Sequence, residues 1–216
     1  MANAEKVPKA ALAAVVGQIN QRIAGVARNL LNEKADPNLL SLESSISPRS
    51  EAQPVVQKID LGETFAVWVL APEQIYSGAR QGEDLVKLAA DTGHWHHQIR
   101  FEGKGMAYAR SMRGDENEGN ESWRLCELGV SVLAEEIQAA AEWSDANMSD
   151  DYVMRLLMVP SRQVRAFWFI DEAKQTSSVY IITAPPYFKK LRKKTRMSSS
   201  EFLTALASER EISGYH

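Results

Sequence analysis

Three of the four histidines lie within residues 92–112, TGHWHHQIRFEGKGMAYARSM, beside a glutamine and two arginines. Imidazole is a metal ligand and a general base near neutral pH, so this stretch is the first place to look for chemistry. It reads as a β-hairpin. Gly103 and Lys104 suit the two central turn positions, because glycine takes the positive φ that a tight hairpin demands. Side chains alternate along a strand, which puts His94, His96, Gln98 and Arg100 on one face and Trp95, His97, Ile99 and Phe101 on the other. With that turn, Ile99 faces Tyr108 and His97 faces Arg110, while Ala107, Ala109 and Ser111 lie beside Arg100, Gln98 and His96. A polar stripe next to a small-residue stripe is either a shallow site or a place where a helix packs closely.

His94 and His96, two apart on a strand, would have Cβ atoms roughly 6 to 7 Å apart, close enough to converge on one ion. Zinc needs a third ligand and usually a fourth. Asp91, Asp115, Glu116 and Glu118 are near in sequence, but no Cys-x-x-Cys or His-Glu-x-x-His accompanies them. No metal and no cofactor is therefore expected. On the apolar face His97 would be desolvated and neutral, either a general base or a core histidine. Cys126 could act as a nucleophile beside a histidine. It also falls in register with an apolar helical stripe, which makes it a small core residue. No Gly-x-Ser-x-Gly elbow is present.

A second chemistry-bearing cluster is Lys189, Lys190, Arg192, Lys193, Lys194 and Arg196, directly after Pro185-Pro186-Tyr187-Phe188. Such a run suits an acidic protein partner or an intramolecular contact. Beside aromatic rings it also suits nucleic acid, though this is not the favoured reading. The chain as a whole carries a net charge of −3, so the cluster is a local patch on an acidic background.

These groups need elements to position them. Residues 8–33 read as one long amphipathic helix, with Leu12, Val16, Ile19, Ile23, Val26 and Leu30 on its apolar face. The Pro- and Ser-rich stretch 35–54 is a connector. The helix is a candidate partner-binding arm, or it folds back onto its own domain. The body, residues 55–216, starts with a possible strand at 55–59 and a central one at 64–70. A short helix at 83–90, the hairpin, an acidic loop at 114–121 and a possible strand at 122–125 follow. Residues 126–143 read as a helix, with Cys126, Val130, Leu133, Ile137 and Ala140 as its stripe. Three strands at 152–159, 164–170 and 179–183 form an antiparallel meander. Ser198 and Glu201 form a capping box that opens a last helix docked by Phe202, Leu203 and Leu206. Trp143, Phe167, Trp168 and Phe169 read as core rather than as a ligand box.

The predicted fold is α+β: a mainly antiparallel sheet of about six strands under two or three helices, with the long N-terminal helix as domain 1–54. A chain of 216 residues, 44% hydrophobic and 25% charged, can build such a core. No apolar run approaches the ~20 residues needed to span a bilayer. Lys6 and Lys9 before residues 10–16 imitate a secretory leader, but the apolar stretch stops at Gly17-Gln18. With a single cysteine, a cytoplasmic location is expected. The leading functional expectation is a non-enzymatic binding or adaptor protein, using its N-terminal helix and basic loop for a protein partner or self-association. A small enzyme or metal-binding protein using the hairpin face is the alternative, and a nucleic-acid accessory protein the third reading.

Overall fold

The structure is a computed structural model that describes residues 3–4, 16, 18, 59–101, 103–113, 123–130 and 132–209. Strands dominate it. They are β1 (Asn3–Ala4), β2 (Ile59–Val69), β3 (Ala90–Phe101), β4 (Lys104–Arg113), β5 (Trp123–Val130), β6 (Tyr152–Val159), β7 (Val164–Asp171), β8 (Thr176–Thr183) and β9 (Arg196–Ser198). The helices are α1 (Pro72–Gln81), α2 (Leu85–Leu88), α3 (Val132–Asn147) and α4 (Ser199–Ser208). The described residues fall into two compact units, and β2, β3 and α3 contribute to both.

The first unit takes in residues 65–94 and the chain from 139 onward. Its strands pair in the order β2-β6-β7-β8-β9. The antiparallel β6-β7-β8 meander forms where expected, with Leu156 opposite Phe167 and Trp168 opposite Val179. β2 joins it in parallel, Val67 against Leu156 through Val69 against Met158, and β1 also pairs with β6 in parallel. One core contains Leu157, Trp168 and Ile181 of the sheet and Leu70 just past β2, with Ile75, Leu85, Phe202, Leu203 and Leu206 of the helices. α4 opens at the expected capping box: the Ser198 hydroxyl accepts from Glu201 N–H, and the Glu201 carboxylate accepts from Ser198 N–H. Phe202, Leu203 and Leu206 are fully buried, each contributing roughly 1.5 to 3 kcal/mol. Phe65, Phe167 and Phe169 are fully buried as well, and Trp143 stacks on Tyr180 at 4.1 Å. These aromatics are core.

The second unit holds residues 95–138 with the described residues up to Thr64. Its strands pair in the order β5-β4-β3-β2. Gly105, Ala107, Ala109 and Ser111 make one buried face of β4. Gly103 has φ 77°, as the hairpin turn requires.

Several expectations need correction. The sheet is mixed and has nine strands, with four short helices among the described residues, not an antiparallel sheet of about six. The parallel β2–β6 pairing joins segments about 90 residues apart, which local patterning cannot reveal. The expected long N-terminal helix, with Leu12, Ile19, Ile23, Val26 and Leu30, lies outside the described residues, as does the connector at 35–54. Of that stretch, Val16 and Gln18 are described, and both are helical. α1 forms between the expected strand and the expected helix at 83–90, where no element was foreseen. Pro72 occupies its first turn, where a missing N–H is harmless and the fixed φ suits a helix. Cys126, Leu128 and Val130 belong to β5, so the helix expected from 126 starts at Val132. The alternation of buried Trp123 and Leu125 with exposed Arg124 and Cys126 marks a strand there.

Candidate functional site

The hairpin does not present a histidine face. His96, His97 and Gln98 are all fully buried. His96 stacks on the Tyr108 ring at 5.3 Å, while His97 reaches Ser111 and Gln98 reaches the Ala134 carbonyl of α3. Tyr108 and Ser111 lie on opposite faces of β4, and Gln98 also abuts Gly105 on the Ser111 face. The side chains of consecutive His97 and Gln98 thus both reach groups of the Ser111 face. Side-chain contacts join His97 to Ser111 and His96 to Tyr108.

His97 sits between two hydroxyls, with Nδ1 3.1 Å from Thr64 Oγ1 and Nε2 2.7 Å from Ser111 Oγ. Burial pushes its pKa down to about 4, so it is neutral at physiological pH. Arg110 takes no part: its guanidinium lies 3.0 Å from the Glu127 carboxylate, which also accepts from the Tyr108 hydroxyl. Arg100 lies 3.7 Å from Glu63. His94 is half-buried, with its N–H donating to Thr92 Oγ1 at 3.2 Å. No group of three or more metal-ligating side chains forms among the described residues, and Asp115, Glu116 and Glu118 lie outside them. Cys126 is exposed and donates to the Arg110 carbonyl at 3.2 Å; desolvation pushes its thiol pKa up. It is not the low-pKa nucleophile that a helix start would make.

Helix packing explains the small-residue stripe. A Cβ at Gly105 would stand 2.8 Å from the Ala134 carbonyl oxygen. The Gln138 side chain accepts from Gly105 N–H and donates to the Gly103 carbonyl, binding α3 to the hairpin turn. Gln18 is a further contact that periodicity did not single out. Its side chain donates to the Trp123 carbonyl at 3.2 Å and accepts from Leu125 N–H at 3.0 Å. Gln18 is thereby held to β5 by two hydrogen bonds.

The basic cluster, in contrast, is exposed. Lys189, Lys190, Arg192, Lys193, Lys194 and Arg196 all reach the surface, as does Tyr187, 49% exposed. The loop bearing them has a fixed path. Phe188 N–H closes a turn on the Pro185 carbonyl at 3.0 Å, and Phe188 and Leu191 insert into the core of the first unit. Lys194 N–H donates to the Ile181 carbonyl at 2.8 Å, and Ile181 N–H to the Thr195 carbonyl at 3.0 Å. Lys194 takes the left-handed conformation, φ 62°. Arg196 is in β9, with Nε donating to Ser178 Oγ at 3.2 Å. Leu191 is the one apolar residue within the cation run, and that interruption is the sequence signal for an anchored loop.

Two open grooves flank it. One, about 780 Å³, is lined by Pro185, Pro186, Tyr187, Lys189, Arg192 and Lys193. The other, about 470 Å³, is lined by Lys190, Arg196, Ser200, Glu201 and Thr204 among others. Such a surface can hold an anion and stack a planar group. No helix among the described residues is long and apolar enough to cross a membrane. Comparison with family models, with curated proteins and with solved structures gives no match, so the reading of this surface stands on its own chemistry.

Proposed function

We propose that the protein is a non-enzymatic binding protein whose ordered basic loop receives an acidic segment of a protein partner. The observation that carries this is six exposed cations on a backbone anchored by Phe188 and Leu191. An anchored loop loses little conformational entropy on binding, which favours recognition over incidental surface charge. The full burial of His96, His97 and Gln98 argues the other way for the hairpin, since a substrate would have no access to them. The proposal rests on the basic loop, and Gln18 engages β5.

The test is fluorescence anisotropy of a labelled hexaglutamate peptide and of a labelled single-stranded oligouridine with the full chain. The comparison variant replaces Lys189, Lys190, Arg192, Lys193, Lys194 and Arg196 by Gln. The proposal expects peptide binding that weakens about tenfold or more in the variant. Tighter binding of the oligouridine, falling steeply with salt, would instead make the protein a nucleic-acid accessory factor. Equal binding of peptide to both proteins, or none to either, would refute the proposal.

A further inference from the structure

Within the basic loop, the backbone already holds a carboxylate. Lys189 N–H and Lys190 N–H both donate to the same oxygen, Glu209 Oε1, at 2.8 and 2.7 Å. Consecutive N–H groups converging on one oxygen form a concave anion site, and a charged acceptor makes both bonds stronger than neutral ones. The acid that fills it sits in an unfavourable place. Glu209 is the C-cap of α4, where the helix dipole disfavours negative charge, and the last turn of α4 has no basic residue to offset it. The two N–H groups supply that compensation.

We infer that the Lys189–Lys190 backbone is a carboxylate-binding nest that Glu209 occupies in place of a partner's acidic side chain. Glu209 Oε1 stands in for the partner's carboxylate oxygen, and the chain competes with its own ligand. The inference rests on the proposed function and names its contact: one Asp or Glu of the acidic partner enters the nest, while the surrounding lysines and Arg192 hold its neighbours. Removing the internal occupant should then strengthen binding, whereas a merely bracing Glu209 would leave binding weaker or unchanged when lost.

The experiment titrates labelled hexaglutamate into the full chain, Glu209→Ala and Glu209→Gln, with amide and carboxyl NMR spectra of each. Glu209→Ala is expected to bind roughly fivefold to tenfold tighter, with Glu209→Gln in between because an uncharged oxygen remains. The Lys189 and Lys190 amide protons should move upfield in Glu209→Ala and return downfield on saturation with peptide. If Glu209→Ala is too unstable to measure, the unaltered chain decides: peptide must displace Glu209 and shift its carboxyl carbon resonance. Unchanged or weaker affinity in the variants, or a Glu209 resonance indifferent to bound peptide, overturns this inference alone. Absence of peptide binding in every protein sinks the proposed function with it.

Discussion

Buried His97 makes the stability of the protein sensitive to mild acid. Its pKa lies at about 4 in the fold against 6.5 for a free histidine. The unfolded chain therefore takes up a proton at this position as pH drops below 6.5, while the folded chain stays neutral until about 4. A depressed folded value means stability that is complete above the unfolded pKa and lost as pH falls through the window between the two. The full displacement corresponds to about 3 kcal/mol, and about 2 kcal/mol of it is gone by pH ~5. That is a sizeable share of the roughly 5 to 15 kcal/mol that holds an ordinary domain together. Replacing His97→Gln removes the titration while leaving a polar side chain between Thr64 and Ser111. Urea unfolding of both proteins at half-unit steps from pH 8 to 4 measures the difference directly. The gap between them should narrow by about 2 kcal/mol from pH 7.5 to pH 5, because only the His97 protein loses stability there through this group. A gap that is constant across the range would refute the desolvation argument.

Three further outcomes can be checked alongside. Gly105→Ala drives a methyl against the Ala134 carbonyl and the Gln98 and Gln138 side chains, so thermal unfolding should show a loss of about 1 to 3 kcal/mol. Gln18→Ala removes both bonds to β5, at about 1 to 2 kcal/mol, and hydrogen exchange at the Leu125 amide should speed up; unaltered exchange would mean Gln18 does not hold that strand. Exposed Cys126 should react with iodoacetamide without unfolding, but more slowly at pH 7.5 than a free thiol, because its raised pKa keeps it protonated.

What could be seen in the sequence was local. The Ser198–Glu201 capping box, the meander and the docking residues of α4 follow from spacing and short-range hydrogen bonds. The Gly103 turn was legible too, and the small-residue stripe offered helix packing as one of two readings, with α3 approaching at Gly105. Two kinds of feature were hidden. The β2–β6 pairing depends on which strands meet, and no residue near Val67 encodes Leu156 as its neighbour. His96, His97 and Gln98 are buried together, whereas alternation along the strand predicted one exposed face, and nothing in the run announces that cover from both sides. Helix and strand periods also overlapped at Val130, where an apolar stripe ran from β5 into α3. As for the basic loop, the cations were plain, but the backbone that fixes them was not. Leu191 alone hinted at it, and the Glu209 contact lies across a helix that reads as closed by its cap.

The parallel seam between β2 and β6 also has a consequence in time. The β6-β7-β8 meander joins near neighbours, and its turns can close on the microsecond scale of hairpins. β2 must wait until about 90 further residues have been made and brought back before it meets β6. Long-range pairings of this kind slow folding. On the ribosome, then, β2 emerges early with its apolar residues Phe65 and Val67 and stays without β6 until the meander strand arrives. The interval between those two events is when this chain is most exposed to aggregation and most in need of a chaperone.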